Sequence, residues 1–233
     1  MFSIVIPLFN ESKNIKPLIY EIENHLQDYL KYEIVLVNDA STDKTKEIIK
    51  SLEKDNIKII NNLKNKGQSF SIHHGITQAS YETIITLDGD GQNNPVDITK
   101  LLNLYLSDND LKLVGGKRHK RQDSIIKIYS SKIANYVRSK ILNDNCEDTG
   151  CSLKVFSKQI FLSFPFFDGI HRFLPALFSG FGYKTAFINV SHRRRKYGVS
   201  KYGIFNRLFR GIRDIIKVYR IIKNYNNKNE LLT

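Results

Sequence analysis

"ETIITLDGDGQNNP", residues 82–95, decides how the chain is read. An apolar, β-branched run (Ile84, Ile85, Leu87) ends in two aspartates one residue apart, Asp88 and Asp90, and a proline follows at position 95. A short apolar run bounded by turn residues reads as a buried strand. The residues alone leave two readings of its end open. Asp-Gly-Asp-Gly is ordinary turn chemistry. In extended geometry, however, Asp88, Asp90 and Gln92 point to one side, an oxygen-only set suited to a hard cation such as Mg²⁺ or Mn²⁺.

Upstream, "FSIVIP" (2–7), "YEIVLVND" (32–39) and "IKIINN" (57–62) are comparable runs. Between them lie segments of helical period, one carrying Ile15, Leu18, Ile19, Ile22, Leu26 and Leu30, the other Ile48, Ile49 and Leu52. That rhythm predicts βαβ units and an α/β fold. Because the runs are continuously apolar, they are predicted to be central parallel strands covered by helices on both faces. In such sheets ligands sit outside the carboxyl ends of the strands. Three polar clusters fall there: "PLFNES" (7–12), "NDASTD" (38–43) and "DGDGQ" (88–92). Downstream the pattern predicts a Pro-led helix from Val96, a strand "LKLVGG", a long helix from about Ser124 to Leu142, a strand "CSLKVFS", a helix "HRFLPALF" and a strand "TAFINVSH".

Length and an apolar content of 41% suit one large domain with an appendage. The two cysteines, Cys146 and Cys151, have no zinc spacing, which fits a reduced cytoplasmic protein. No window approaches about 18 consecutive apolar residues, so no membrane-spanning helix is predicted. The net charge of +13 is localised: residues 151–233 hold 16 Lys and Arg against Asp168, Asp214 and Glu230, while the first 150 residues are balanced. The basic surface is therefore C-terminal, and it suits nucleic acid, an anionic membrane or a phosphate-bearing substrate.

Individual clusters carry competing readings. Ser41, Thr42 or Asp43 can cap a helix starting near Lys44, which leaves Asp39 free to accept from a nucleobase or ribose, as Glu11 could. Gly67 in "NLKNKGQS" reads as a helix-entry turn, matching neither a P-loop nor a dinucleotide pattern. His73 and His74 read as ordinary helix residues. "HRRRKYGVSKYG" (192–203) interleaves cations with glycine and tyrosine, as a phosphate-facing loop would. In residues 204–225, Phe205, Leu208, Phe209, Ile212, Ile215, Ile216, Tyr219 and Ile222 fall on one helical face. Six cations from Arg207 to Lys223 are opposed there by Asp214 alone. This profile suits a helix lying in a membrane interface, or one packing its apolar face on its own domain.

Taken in order, "SIVIPLFNE", "IVLVNDASTDKT", "LDGDGQNNP", "VGGKR", "DTGCSLKVF", "HRFLPAL" and "RKYGVSK" resemble the family-two glycosyltransferases of GT-A fold. The likeness is greatest to dolichol-phosphate mannosyltransferases and polyprenyl-phosphate sugar transferases, and it covers residues 1–203. It implies a metal-dependent inverting transferase that moves a sugar from a GDP- or UDP-sugar to a polyprenyl phosphate. It places Pro7, Phe9, Glu11, Val37 and Asp39 in the nucleotide pocket and Asp88 and Gly89 against the donor. Asp90 and Gln92 would hold Mg²⁺ or Mn²⁺. Arg195 and Lys201 would approach the phosphates. Arg118, Asp148, His171, Arg172 and Ser200 would face the acceptor, with Asp88, Asp90, Arg118 and Asp148 closest to the chemistry.

Many members of that branch carry C-terminal transmembrane helices. The resemblance implies residues 1–203 as catalytic domain, while the residues beyond it read as a basic membrane-interface helix (204–225) and a frayed polar tail (226–233). The expected setting is the inner face of the cell membrane, bound peripherally to an anionic surface, through an integral membrane partner, or both. A saccharide acceptor is the alternative and would require a true base, for which Asp148 is the candidate. Nucleic acid is disfavoured, since the C-terminal aromatics lie mainly on the apolar face rather than forming a stacking platform.

Overall fold

The computed structural model describes residues 1–29, 31–118, 136–195, 197 and 204–230, the side chains of 204–210 and 228–230 excepted. Strands β1 (Phe2–Leu8), β2 (Tyr32–Asn38), β3 (Ile57–Asn61) and β4 (Thr83–Thr86) run parallel, with Leu8 opposite Asn38 and Val5 opposite Thr86. With β5 (Leu111–Arg118), β6 (Lys154–Ser157) and β7 (Lys184–Val190) they make one sheet in the order β3-β2-β1-β4-β6-β5-β7.

The continuous apolar runs are explained by cover on both faces. Ile4, Ile6, Leu8, Ile34 and Leu36 pack with α1 (Ser12–Leu26) and α4 (Val96–Ser107), and α2 (Thr45–Lys50) adds Ile49 on the same side. Val5, Val35 and Val37 turn the other way, onto α3 (Gln68–Gln78) and the core around α7 (Leu174–Gly180). Helix α1 carries the predicted stripe as far as Leu26, with Ile15, Leu18, Ile19, Ile22 and Leu26 all buried, and Leu30 lies outside the described residues. At roughly 1.5–3 kcal/mol for each such side chain, this burial is what holds the helix on the sheet.

Several elements depart from the periodicity. β3 pairs with β2 alone, so it is an edge strand, with only Ile57 fully buried rather than the whole run. β6 is fully buried yet antiparallel to both β4 and β5, showing that an apolar run reports cover and not direction. "HRFLPALF" splits into a 3₁₀ turn (Ile170–Arg172) and α7, whose first turn holds Pro175, where the missing N–H costs nothing. Residues 136–142 form α5 and 158–163 form α6; residues 124–135 of the long predicted helix lie outside the described residues.

The last helix, α8, runs from Ile204 to Glu230, past the point at which a frayed tail was expected. The predicted apolar face is divided between two environments. Val218 is fully buried, Ile215, Ile221 and Ile222 pack on the domain, and Tyr225 stacks on Phe181 at 3.8 Å between ring centroids. Ile212, Ile216 and Tyr219 stay outside at 51%, 48% and 47% exposure, next to Arg213, Lys217, Arg220 and Lys223. Asp214 is turned inward to Arg172 at 2.8 Å. Among the described residues no helix is long and apolar enough to cross a membrane.

Candidate active site

Parallel pairing brings the ends of β1, β2 and β4 to one edge of the sheet, and the segments after Leu8, Asn38 and Thr86 open together there. The 88–92 segment is a turn, the first of the two readings its residues left open. Gly89 is required by its passage over β1, since a Cβ there would lie 2.3 Å from Leu8 Cδ2 and 3.3 Å from the Pro7 carbonyl oxygen. The turn is closed by the Gln92 N–H donating to Asp90 Oδ1 at 3.1 Å. Asp88 Oδ1 accepts from Gln68 Nε2, at the start of α3, at 2.8 Å. Burial and the neighbouring Asp90 charge raise the Asp88 carboxyl to about 6, against the opposing pull of Lys154 and Arg118.

Asp39 is not free. Its Oδ1 accepts from Asn62 Nδ2 (2.8 Å) and the Lys66 N–H (2.9 Å), and its Oδ2 accepts from the Gly67 N–H (2.8 Å). Gly67, at φ +85°, adopts a conformation that favours glycine and directs that N–H back to the strand end as α3 begins. Asp43, one residue before the N-cap, accepts from the Thr45 N–H at 2.9 Å; the N-cap itself is Lys44 and makes no side-chain cap. Of the other residues assigned to the nucleotide pocket, Pro7 and Phe9 are half-buried at the β1 end, while the Val37 side chain faces the core on the α3 side.

The described start of the downstream basic segment, Arg193 to Arg195, folds back onto these ends. Arg195 Nη2 lies 2.6 Å from Glu11 Oε1 and 3.8 Å from Asp90 Oδ2, which joins the β1 and β4 ends through one guanidinium. Arg193 anchors this crossing: its N–H donates to the Gln92 carbonyl at 2.9 Å, and its guanidinium to Glu21 and Asn94, both at 2.6 Å. Ser200 and Lys201 lie outside the described residues.

Of the residues assigned to the acceptor, Arg118 donates to Asp148 through its backbone N–H (3.1 Å) and through Nε and Nη2 (2.7 Å each), with side chains 14% and 6% exposed. Both Asp148 oxygens are thus committed to an arginine, an arrangement for holding Arg118 rather than for taking a proton. Arg172 donates through Nη2 to Asp214 on α8 at 2.8 Å, with a third of its side chain still exposed. His171 Nδ1 lies 2.8 Å from Ser69 Oγ on α3. Burial and the charges of Arg172 and Lys154 push its imidazole down to about 3, so it is neutral at physiological pH.

Sequence reasoning missed several neighbours. Lys154 is buried on β6, donates to the Cys151 carbonyl and helps to offset the Asp88 charge. Its signal was present, since a lone cation inside "SLKVF" needs a partner. Gln68 and Asn62 gave no pattern of their own and enter through the fold of the 62–68 segment.

The donor set fits a hard divalent cation. Asp88 and Asp90 are neighbouring carboxylates whose repulsion a cation would relieve. Gln92 gives its Nε2 to the Arg193 carbonyl at 3.2 Å, which leaves its amide oxygen as the atom to offer a metal. Among the described residues no cluster of three His, Cys, Asp or Glu forms a full cage. A short protein set is what Mg²⁺ or Mn²⁺ requires when waters and substrate phosphates complete the shell.

Comparison with known proteins identifies the family and the fold. The family model described as "Glycosyl transferase family 2" matches residues 3–164. The chain is 34% identical over 223 residues to a dodecaprenyl-phosphate galacturonate synthase of Rhizobium johnstonii, covering 93% of this chain and 65% of that protein. It is 36% identical over 205 residues to an undecaprenyl-phosphate 4-deoxy-4-formamido-L-arabinose transferase of Photorhabdus laumondii, covering 86% and 62%. The chain thus spans just under two thirds of the length of these relatives. Among solved structures, the glucosyl-3-phosphoglycerate synthase of Mycobacterium tuberculosis, in complex with Mn²⁺, UDP and phosphoglyceric acid, superposes with a TM-score of 0.71. Its sequence identity is 17%, over 94% of this chain and 76% of that one, so the likeness is one of fold, the expected GT-A type.

Proposed function

The chain belongs to glycosyl transferase family 2, and from that premise we propose that it transfers a sugar from a nucleotide-sugar donor to a polyprenyl phosphate at a membrane surface. One observation carries the reading: Arg195 reaches back to lie between Glu11 and Asp90, closing a cationic segment over the acidic strand ends where a diphosphate would sit. The relatives named for polyprenyl-phosphate sugar transfer support the acceptor class.

Asp90 and the Gln92 amide oxygen would hold Mg²⁺ or Mn²⁺. The bound cation would neutralise the diphosphate as a Lewis acid and so make it a competent leaving group. Asp39 faces the base. With Oδ1 accepting twice and Oδ2 once, one acceptor position remains among the described contacts. A single position suits the one imide N–H of uracil rather than the two adjacent N–H groups of guanine, so a UDP-sugar is the preferred donor. Arg195 and Lys201 approach the phosphates.

A phosphomonoester acceptor, with a second pKa near about 6, is already largely ionised at neutral pH and needs no strong base. Its oxygen attacks the anomeric carbon as the bond to the diphosphate breaks, inverting that centre. Arg118, held by Asp148, offsets the repulsion between the two phosphate groups. Helix α8 supplies the surface contact. Ile212, Ile216 and Tyr219 enter the interface, and the four exposed cations beside them contribute up to about 4 kcal/mol on an anionic leaflet. The inner membrane face, and an integral membrane partner alongside the lipid, complete the reading.

The test is a panel of UDP- and GDP-sugars with polyprenyl phosphate and Mg²⁺ or Mn²⁺, following nucleotide release and lipid product together. Release that ignores the lipid phosphate, or proceeds undiminished in EDTA, would overturn the proposal.

A further inference from the structure

Behind Asp39 lies a short polar relay that the reaction itself does not use. Asn62, buried at the end of β3, donates through Nδ2 to Asp39 Oδ1 at 2.8 Å and to Ser71 Oγ at 3.0 Å. Its Oδ1 lies 2.9 Å from His74 Nδ1. The direction of this chain follows from its end. An ionised carboxylate only accepts, so the amide nitrogen of Asn62 must face Asp39 and the amide oxygen must face the imidazole. An amide oxygen also only accepts, so His74 Nδ1 must carry the proton. Neutral and protonated imidazole both satisfy that requirement, provided the neutral ring takes the Nδ1–H tautomer.

The relay fixes two properties of Asp39. It sets the plane of the carboxylate, since Asn62 grips one oxygen while the Gly67 N–H grips the other. It also fills Oδ1 together with the Lys66 N–H, which leaves, among the described residues, a single acceptor position on Oδ2. We propose that His74 and Asn62 are positioning residues for base recognition: they orient Asp39 and limit it to one hydrogen-bond donor, and so make the pocket select a uracil-type edge over guanine. The inference rests on the reading of Asp39 as the carboxylate that meets the donor's base.

Binding of UDP, GDP and inorganic pyrophosphate, each with Mn²⁺, is measured calorimetrically on the full chain. Wild type is compared with His74→Phe, which keeps a ring without the donor, with His74→Gln, which keeps an N–H, and with Asn62→Ala. Losing one neutral hydrogen bond corresponds to about a five-fold weakening. His74→Phe and Asn62→Ala should weaken UDP by about that factor, lower the UDP-to-GDP preference, and leave pyrophosphate unchanged. His74→Gln should stay within about two-fold of wild type. Thermal melting confirms folding, and a variant that does not fold is replaced by His74→Leu or Asn62→Ser, read in the same way. UDP binding unchanged in His74→Phe, or an equal loss of UDP and pyrophosphate, overturns the relay. A wild-type protein that binds UDP no better than pyrophosphate instead overturns the assignment of Asp39 to the base, and the relay with it.

Discussion

Replacing Asp148 by Asn separates two roles that are easily confused. In the fold this carboxylate accepts three hydrogen bonds from Arg118, two of them at 2.7 Å, with little solvent on either side chain. Asn keeps one oxygen but turns an NH₂ group toward a guanidinium that can only donate. Breaking a buried ion pair costs about 3–5 kcal/mol. Arg118 retains a path to water and Asn retains one acceptor, so about 2–3 kcal/mol is the expected loss. For a chain of this size that is roughly a 5–10 °C fall in melting temperature, measurable by calorimetry. In the transferase assay a misaligned Arg118 should raise KM for the lipid phosphate and lower kcat by about ten-fold or less, with the pH–rate profile unchanged. A general base would contribute about 10²–10⁴-fold. An Asp148→Asn protein with an unaltered melting temperature and turnover reduced by about 10³-fold would refute the positioning role and restore the saccharide-acceptor alternative.

Other outcomes follow from the same geometry. Asp90→Ala should abolish metal-dependent nucleotide release and erase the thermal stabilisation of wild type by Mn²⁺ and UDP; full activity in that variant would sink the metal assignment. His171 has a folded pKa of about 3 against an ordinary 6.5, so between these values the unfolded chain binds more protons and stability falls as pH falls. Relative to His171→Gln, wild type should lose about 1 kcal/mol between pH 7.5 and 5 in urea unfolding, allowing for solvent screening of the half-buried ring. Equal slopes for the two proteins would contradict a buried neutral imidazole. Ile212→Glu with Ile216→Glu should leave the melting temperature within about 2 °C, because both side chains are exposed, yet greatly reduce sedimentation with anionic vesicles. Undiminished sedimentation would remove α8 from the membrane contact.

The parallel core and its polar edge were legible because burial on two faces writes itself as continuous apolar runs, and because the chain must turn wherever such a run stops. "FSIVIP", "YEIVLVND" and "ETIITLD" therefore located β1, β2 and β4 together with their polar ends. The reversed direction of β6 was not legible, since "KVFS" is equally apolar whichever way it runs. Asp39 was recognised but misjudged. Counting helix-cap candidates left it free, while the atoms that occupy it belong to a segment more than 20 residues away. Helix α8 shows the limit of periodicity most directly. Its apolar residues share an arc too wide for one partner, and only the packing of Val218 and Tyr225 distinguishes the part that faces the domain from the part that faces outward.

The ion pair between Arg172 and Asp214 gives that helix a fixed roll. A turn of one residue about its axis, about 100°, would carry Asp214 out into solvent and strand Arg172. The pairing thus works as the key in a shaft. With the key seated, the exposed apolar strip and its cations point in one direction relative to the sheet. A bilayer meeting that strip would therefore encounter the domain at a set tilt, with the strand-end crevice at a constant height above the lipid. One buried aspartate, the helix's sole acid before its C-terminal end, would act in this way as the molecule's spirit level.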